Sequence, residues 1–288
     1  MLGNWKNDLY EPSDEIIAVN NLNYNGIEPA IKGDELISIE GVDLTYSGRT
    51  GTIKALDNIN FNIFPGEFVC ILGPSGCGKS TLLKILAGFI QPTSGVVKLD
   101  GNEINGIDWH RGVVFQNPPL YEWLSVKNNI SFGPKMRKLP KKEYSKLADE
   151  YIEKVGLTGF ANKKIYELSV GMKQRVSIAR ALINNPEILL MDEPFGALDA
   201  LTRENIQNLI RKIWWNTGKT ILFITHDVEE ALLLASRIIV LSKHPGRVIE
   251  DIYVNFSKKI IEDNNVDIKF TEEFYKYREK LLKLINNK

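Results

Sequence analysis

The sequence contains few cysteines, no excess of either charge and no long apolar run. Its only cysteines are Cys70 and Cys77, too few for a disulfide framework or a metal cluster, so a reducing compartment is expected. Lysine plus arginine and aspartate plus glutamate each total 36, which leaves no overall basic field to attract nucleic acid or anionic lipid. The apolar run from Ala231 to Ala235 is far shorter than the roughly 20 residues that span a bilayer. We therefore expect no nucleic-acid partner, and we expect any membrane association to pass through another protein.

Residues 1–34 are polar, asparagine-rich and weakly periodic. Within them, residues 1–15 lack a basic segment followed by an apolar one, so no signal peptide is predicted and a cytoplasmic location is expected. We interpret the whole segment as a flexible N-terminal extension and assign it no function.

Apolar patterning in the rest of the chain predicts an α/β fold. From Leu36 onward, apolar and polar residues alternate, as in an antiparallel sheet with one exposed face. Continuous apolar runs at 68–72, 188–191 and 221–224 are typical of parallel strands covered on both faces. The expected organisation is a domain at 35–254 with a mainly parallel core sheet, an antiparallel β subdomain and a helical subdomain inserted at about 117–176, followed by a tail at 255–288.

The tail contains a predicted amphipathic helix. One helical face between residues 271 and 285 collects its apolar side chains, which are Phe274, Tyr277, Leu281, Leu282 and Ile285. Packing on the chain's own domain is favoured over binding to a partner.

A glycine-rich motif follows the first continuous apolar run. Its residues are Gly73, Pro74, Ser75, Gly76, Cys77, Gly78, Lys79 and Ser80, with Thr81 opening the helical run after them. A strand, this G-x-x-x-x-G-K-S loop and a helix together form a phosphate cradle of backbone amides at a positive helix end. Lys79 is expected to reach the β- and γ-phosphates and Ser80 to bind Mg²⁺. The alternative, a turn that binds nothing, is disfavoured by the complete motif in this context.

Two carboxylates end another apolar strand. Asp192 is expected near Mg²⁺, because ligands bind at strand carboxyl ends in open α/β sheets. Successive strand residues alternate in direction, so Glu193 is expected to point elsewhere and to serve the attacking water. The alternative is a capped turn after a core strand. His226 follows the strand at 221–224, and this position favours a γ-phosphate contact over a structural role.

These residues resemble the ATP-binding-cassette (ABC) ATPases from about Leu36 to about Val254. The resemblance implies ATP and Mg²⁺ as ligands and the P-loop cassette fold. Tyr46 resembles the family's adenine-stacking aromatic, with a core tyrosine as the alternative. Gln116 resembles the glutamine that contacts Mg²⁺ and water and links the site to the helical insert.

Residues 168–172 resemble the family's Leu-Ser-Gly-Gly-Gln signature. The resemblance implies a head-to-tail dimer in which Ser169 and Gly171 of one copy face the γ-phosphate bound by the other. Asp199 resembles the loop that crosses the dimer interface, and it also suits a helix cap. Val170 departs from the pattern, because glycine is usual there. If the position needs glycine, valine slows closure of the dimer, and Val170→Gly is expected to raise ATPase activity.

Three sequence segments are similar to those in the cassettes of nitrate, sulfonate and taurine importers. They follow Glu193, surround Trp123 and span 244–247. Importers of thiamine precursors or riboflavin remain an alternative. The resemblance implies transmembrane permease subunits on the inner face of the membrane, served indirectly by an external binding protein. Tyr121, Trp123 and Leu124 would contact the permease, unless they lie in the cassette's own core.

The sequence disfavours two other functional classes. A GTPase switch is disfavoured because residues 162–165 lack the aspartate of a guanine-reading Asn-Lys-x-Asp motif. A soluble cassette acting in DNA repair or translation is disfavoured because the sequence has neither heptads nor a second phosphate loop.

Overall fold

The computed structural model describes residues 34–48, 51–263 and 267–286. The predicted N-terminal extension therefore lies outside the described residues, apart from Asp34. The chain divides into two compact units, one running up to Gly106 and resuming at Arg211, the other spanning Ile107–Ile210.

Ten strands occur in the described residues. They are β1 (Ile37–Gly48), β2 (Gly51–Ile63), β3 (Phe68–Leu72), β4 (Ser94–Leu99), β5 (Asn102–Glu103), β6 (Arg111–Val114), β7 (Ile188–Asp192), β8 (Thr220–Thr225), β9 (Arg237–Leu241) and β10 (Val248–Tyr253).

Nine α-helices accompany them in the same part of the chain. They are α1 (Lys79–Leu86), α2 (Val126–Ile130), α3 (Phe132–Met136), α4 (Lys141–Lys154), α5 (Val170–Leu182), α6 (Ala200–Thr217), α7 (Val228–Leu234), α8 (Phe256–Glu262) and α9 (Glu272–Asn286). None of these helices combines the length and hydrophobicity required to cross a bilayer.

The first unit contains both predicted kinds of sheet. Strands β2, β1, β4 and β5 form an antiparallel sheet in that order, and their alternating burial agrees with the alternating sequence. Strand β3 pairs in parallel with β8 on one side and β9 on the other, and all five of its residues are buried. The continuous apolar run at 68–72 therefore predicts the central strand correctly, because both faces of such a strand need apolar side chains.

The second unit combines a parallel strand pair with a helical cluster. Strands β6 and β7 pair with Arg111 opposite Ile188. The helices α2, α4 and α5 bury a common apolar core that includes Ile130, Ile152 and Val176. Helix α5 continues to Leu182, so the predicted end of the insert at about residue 176 falls inside a helix.

The C-terminal helix α9 packs on the first unit. Its buried residues are Phe274 and Leu281, and the ring of Phe274 lies 5.3 Å from that of Phe256 on α8. The helix also contacts α7 and β9. Its predicted apolar face is thus used inside the chain.

Candidate nucleotide-binding site

The loop at 73–78 leaves strand β3 and turns directly into helix α1. Gly78, at the helix start, has a φ of 99°, a conformation that residues with side chains rarely adopt. A Cβ atom at this position would lie 2.7 Å from the carbonyl oxygen of Ala55. Glycine is therefore required here both by backbone conformation and by space.

Lys79 is held inside this loop. Its side chain is buried, with the residue 5% exposed, and Nζ donates hydrogen bonds to the carbonyl oxygens of Gly73 at 2.8 Å and Pro74 at 3.0 Å. The loop thus surrounds a fixed positive charge next to the helix start, which is the electrostatic setting that a phosphate group needs.

The other predicted loop residues divide by exposure. Ser75, Gly76 and Ser80 are exposed, and Pro74 and Thr81 are partly buried. Cys77 is 1% exposed, and its Sγ atom lies 2.8 Å from the position that a Cβ atom on Gly73 would occupy. Cys77 therefore fills space beneath the loop, in agreement with the interpretation that it serves only as a small side chain.

Tyr46 lies beside the phosphate loop. Its hydroxyl is 3.3 Å from Oγ1 of Thr81 on helix α1, and the residue is 44% exposed. The interpretation of Tyr46 as a core tyrosine is therefore wrong, and its ring is accessible to a planar ligand. Ile53 lies opposite Tyr46 on the neighbouring strand.

His226 lies at the same end of the parallel strands as the phosphate loop. Strands β3 and β8 are parallel with Leu72 opposite Thr225, so His226 and Gly73 are the next residues along two paired strands. The side chain of His226 is exposed. The structure therefore brings Tyr46, the phosphate loop and His226 together within the first unit.

In the second unit, Asp192 is the last residue of strand β7, and Glu193 follows it in a turn. Glu193 has a φ of 41°, and its carbonyl oxygen accepts a hydrogen bond from the Gly196 amide at 3.2 Å. The strand ends at Asp192, so the alternation expected of successive strand residues does not extend to Glu193, whose backbone is left-handed.

Gln116 packs against this turn. Its Nε2 atom lies 2.6 Å from the position of a Cβ atom on Gly196, so a side chain at 196 would displace the end of Gln116. The preceding carbonyl of Phe115 accepts a hydrogen bond from Gln174 on α5 at 3.3 Å. Gln174 was not identified from the sequence, since nothing in a helical run distinguishes a residue that supports a neighbouring loop.

The signature-like segment is also a helix start. The Ser169 hydroxyl accepts a hydrogen bond from the Met172 amide at 3.3 Å and caps α5, and Ser169 is exposed. Val170 is the first residue of the helix and is absent from the described residues with positive φ. The backbone conformation at this position therefore does not require glycine, because a helical φ is open to any L-residue.

Gly171 and Asp199 meet through Thr202. A Cβ atom on Gly171 would overlap Cγ2 of Thr202, and the Thr202 amide donates to Oδ1 of Asp199 at 3.0 Å. The backbone amide of Thr202, followed by its hydroxyl, lowers the pKa of Asp199. Asp199 is thus ionised and acts as a helix cap, while the residue remains exposed.

Each unit carries oxygen donors of kinds that Mg²⁺ binds. Ser80 in the first unit offers a hydroxyl, and Gln116 and Asp192 in the second unit offer an amide carbonyl and a carboxylate. No group of three or more His, Cys, Asp or Glu side chains in the described ranges could hold a metal by itself. A nucleotide-dependent Mg²⁺ site needs no such group, because phosphates and water supply the remaining ligands.

The chain is similar to known proteins in sequence and in structure. The ABC transporter family model matches residues 56–196. The taurine import ATP-binding protein TauB of Pelagibacter ubique is 50% identical over 88% of this chain and 96% of its own length. TauB of Jannaschia sp. is 48% identical over 82% of this chain and 88% of its own. The chain belongs to the ATP-binding proteins of ABC transporters.

A solved structure also resembles this ABC protein. It is the dimeric ATP-binding cassette MJ0796 in a post-hydrolysis state with ADP and Pi. The two chains superpose with a TM-score of 0.67 and are 38% identical, over 76% of this chain and 98% of that one.

This ABC protein exposes aromatic side chains on its helical unit. Trp123 is 71% exposed and Tyr166 is 68% exposed, and Lys164 Nζ joins their segments by donating to the Trp123 carbonyl at 2.8 Å. The interpretation that Trp123 lies in the core is therefore wrong. Tyr121 and Leu124 are half-buried. We call Tyr121, Trp123, Leu124 and Tyr166 the aromatic surface.

Proposed function

We propose that this chain is the ATP-hydrolysing subunit of an importer for taurine or a similar small sulfonate, or for nitrate. Identity of up to 50% with taurine import ATP-binding proteins supports this substrate class. An importer for a thiamine precursor or a riboflavin-like nutrient is the alternative, because the transported molecule does not contact the cassette.

ATP binding is assigned to the phosphate loop and Tyr46. The Tyr46 ring stacks on the adenine, and Lys79 exchanges its carbonyl partners for the β- and γ-phosphates. The amides at the start of α1 bind phosphate oxygens, and the Ser80 hydroxyl, the Asp192 carboxylate and the Gln116 side chain would hold Mg²⁺. The metal ion, when bound, neutralises charge on the transferred phosphoryl group.

The observation that carries the hydrolytic assignment is the left-handed backbone of Glu193 directly after Asp192. Strain of this kind costs of order 1–3 kcal/mol, persists only where the surrounding structure holds it in place, and is frequent at active sites. The left-handed backbone takes Glu193 out of the pleat of β7. In the proposed site, Glu193 orients the attacking water and Asp192 would face the metal. His226 contacts the γ-phosphate from the carboxyl end of β8.

A second copy of the chain completes the site. The exposed Ser169 start of α5 would face the γ-phosphate bound by the partner copy, and Gly171 with Asp199 would lie at that interface. The dimeric cassette structure at 38% identity supports this arrangement. Closure around two nucleotides and reopening after hydrolysis then drive the transport cycle.

Permease subunits are the second partner. Within the aromatic surface, Trp123 and Tyr166 are exposed, so this surface suits an apolar protein helix as its partner. The chain would thus act at the inner face of the membrane, with an external binding protein as an indirect partner and with no nucleic acid.

Glu193→Gln tests this function. The variant should bind ATP as tightly as the wild type, lose most hydrolysis and accumulate as a nucleotide-bound dimer in size-exclusion chromatography with light scattering. Glu187→Gln is the matched control, because Glu187 is exposed just before the opposite end of the same strand. Fast turnover by Glu193→Gln, or a monomer with Mg·ATP, would contradict the proposal.

The substrate is tested by gene deletion. Loss of growth on taurine as the sole sulfur source, restored by the wild-type chain and not by Lys79→Ala, is expected. Normal growth on taurine combined with a thiamine or riboflavin requirement would favour the alternative.

A further inference from the structure

Hydrogen bonds hold the backbone of the turn that carries His226, while the His226 side chain is exposed. His226 itself is exposed, whereas Thr225 before it is only 2% exposed. An exposed imidazole on a mobile turn would sample many positions, so a fixed γ-phosphate contact requires a rigid backbone beneath it.

The Thr225 hydroxyl forms hydrogen bonds with two residues that follow His226 in the chain. It accepts a hydrogen bond from the Asp227 amide at 3.0 Å, and it donates one to Oε2 of Glu230 at 2.7 Å. Oδ1 of Asp227 accepts from the Glu229 amide at 2.8 Å and from the Glu230 amide at 3.2 Å. These bonds close a ring that fixes the backbone on either side of His226.

A helix cap alone does not account for this ring. Asp227 already caps α7, yet Glu230, one turn later, is also buried, with 8% exposure. Burying a carboxylate is costly unless it is hydrogen-bonded, and the Thr225 hydroxyl provides one such bond. Helix α7, which carries Glu230, contacts strand β3, the strand that leads into the phosphate loop.

We propose that Thr225, held by Glu230, is a positioning residue that fixes His226 for the γ-phosphate. The proposal rests on the proposed hydrolytic function and adds two residues to it. Neither Thr225 nor Glu230 contacts the nucleotide in this arrangement, and both act through the backbone of His226.

The decisive variant is Thr225→Val, which keeps the shape of the side chain and removes the hydroxyl. In the full-length chain, kcat for Mg·ATP should fall roughly tenfold to a hundredfold, since small misplacements of catalytic groups have effects of this size. Binding of ATP, measured by calorimetry, should be unchanged. Thr225→Ser should restore kcat because it keeps the hydroxyl.

Thr220→Val is the matched control. Thr220 begins the same strand, is 3% exposed, and its Oγ1 accepts from the Gly66 amide at 3.0 Å. Thr220→Val therefore removes a buried hydrogen bond between a threonine hydroxyl and a backbone amide, at the opposite end of the strand from His226. A general effect of destabilisation would lower kcat in both valine variants, whereas the proposal requires the loss in Thr225→Val only.

The double variant Thr225→Val with His226→Ala separates positioning from structure. If Thr225 acts through His226, the double variant should have the kcat of His226→Ala alone. Wild-type kcat in Thr225→Val, or a further loss in the His226→Ala background, would overturn the positioning role and leave the proposed function intact. A wild-type chain that hydrolyses no ATP would instead overturn the proposed function.

Discussion

Gly171 packs against Thr202 so closely that a Cβ atom on Gly171 would overlap the Thr202 methyl group. This contact joins the start of α5, where the signature-like segment lies, to the first turn of α6, which Asp199 caps. The two segments that the sequence suggested for the dimer interface are thus neighbours within one chain. Glycine at 171 is therefore needed for packing within one chain.

Gly171→Ala should destabilise the protein by about 1–3 kcal/mol, the usual cost of overpacking. Thr202 is β-branched and stiff about χ1, so its methyl group cannot easily move away. Thr202→Ser removes that methyl group and should recover most of the loss in the double variant. Free energies of unfolding from urea titration measure both effects, and an unrescued double variant would contradict the packing argument.

Removing the Tyr46 ring should weaken ATP binding while removing only its hydroxyl should not. Tyr46→Ala loses stacking worth about 1–3 kcal/mol, whereas Tyr46→Phe loses only the contact with Thr81. Calorimetric titration with Mg·ATP in the Glu193→Gln background measures affinity without turnover. Equal losses in both variants would mean that the hydroxyl, not the ring, is the important group.

Trp123→Ala should abolish co-purification with the permease subunits without changing the free energy of unfolding, because Trp123 is exposed. Trp214→Ala provides the contrast. Trp214 is buried, and its Nε1 donates to the Gly66 carbonyl at 2.8 Å, so its truncation should cost about 3–5 kcal/mol. A marked loss of stability in Trp123→Ala would contradict its assignment to a docking surface.

Arg237→Met should destabilise the first unit by about 3–5 kcal/mol, the usual cost of leaving a buried charge unpaired. Arg237 Nη1 lies 3.2 Å from Oε2 of Glu67, and Nη2 lies 2.6 Å from Oδ2 of Asp251. Burial raises the pKa of Glu67, and the charge of Arg237 opposes that rise. Without Arg237, the carboxylate would be buried with no compensating charge.

Adding Glu67→Gln should recover part of this stability, since the amide oxygen can still accept the bond that Glu67 receives from the Phe64 amide at 2.9 Å. Thermal and urea unfolding compare the single and double variants. A double variant less stable than Arg237→Met alone would show that the ion pair is not the source of the loss.

The phosphate loop could be predicted from the sequence because its chemistry is local. A strand, a loop and a helix start follow one another between residues 68 and 86, and glycines at 73 and 78 are required by contacts to nearby backbone and side chains. The central strand β3 was equally clear, because burial on both faces demands an uninterrupted apolar run.

Tertiary structure alone decided the features that depend on distant contacts or on backbone angles. Gly171 and Thr202 lie on separate helices, and Gln174 supports a loop on another segment, so neither pairing leaves a pattern along the chain. The sequence also could not assign a helical φ to Val170 or a left-handed one to Glu193, since side-chain identity only biases φ and the surrounding packing selects it. Exposure of Trp123 was undetermined for the same reason: an aromatic residue suits a core and an interface equally, and only the folded chain shows which surface remains uncovered.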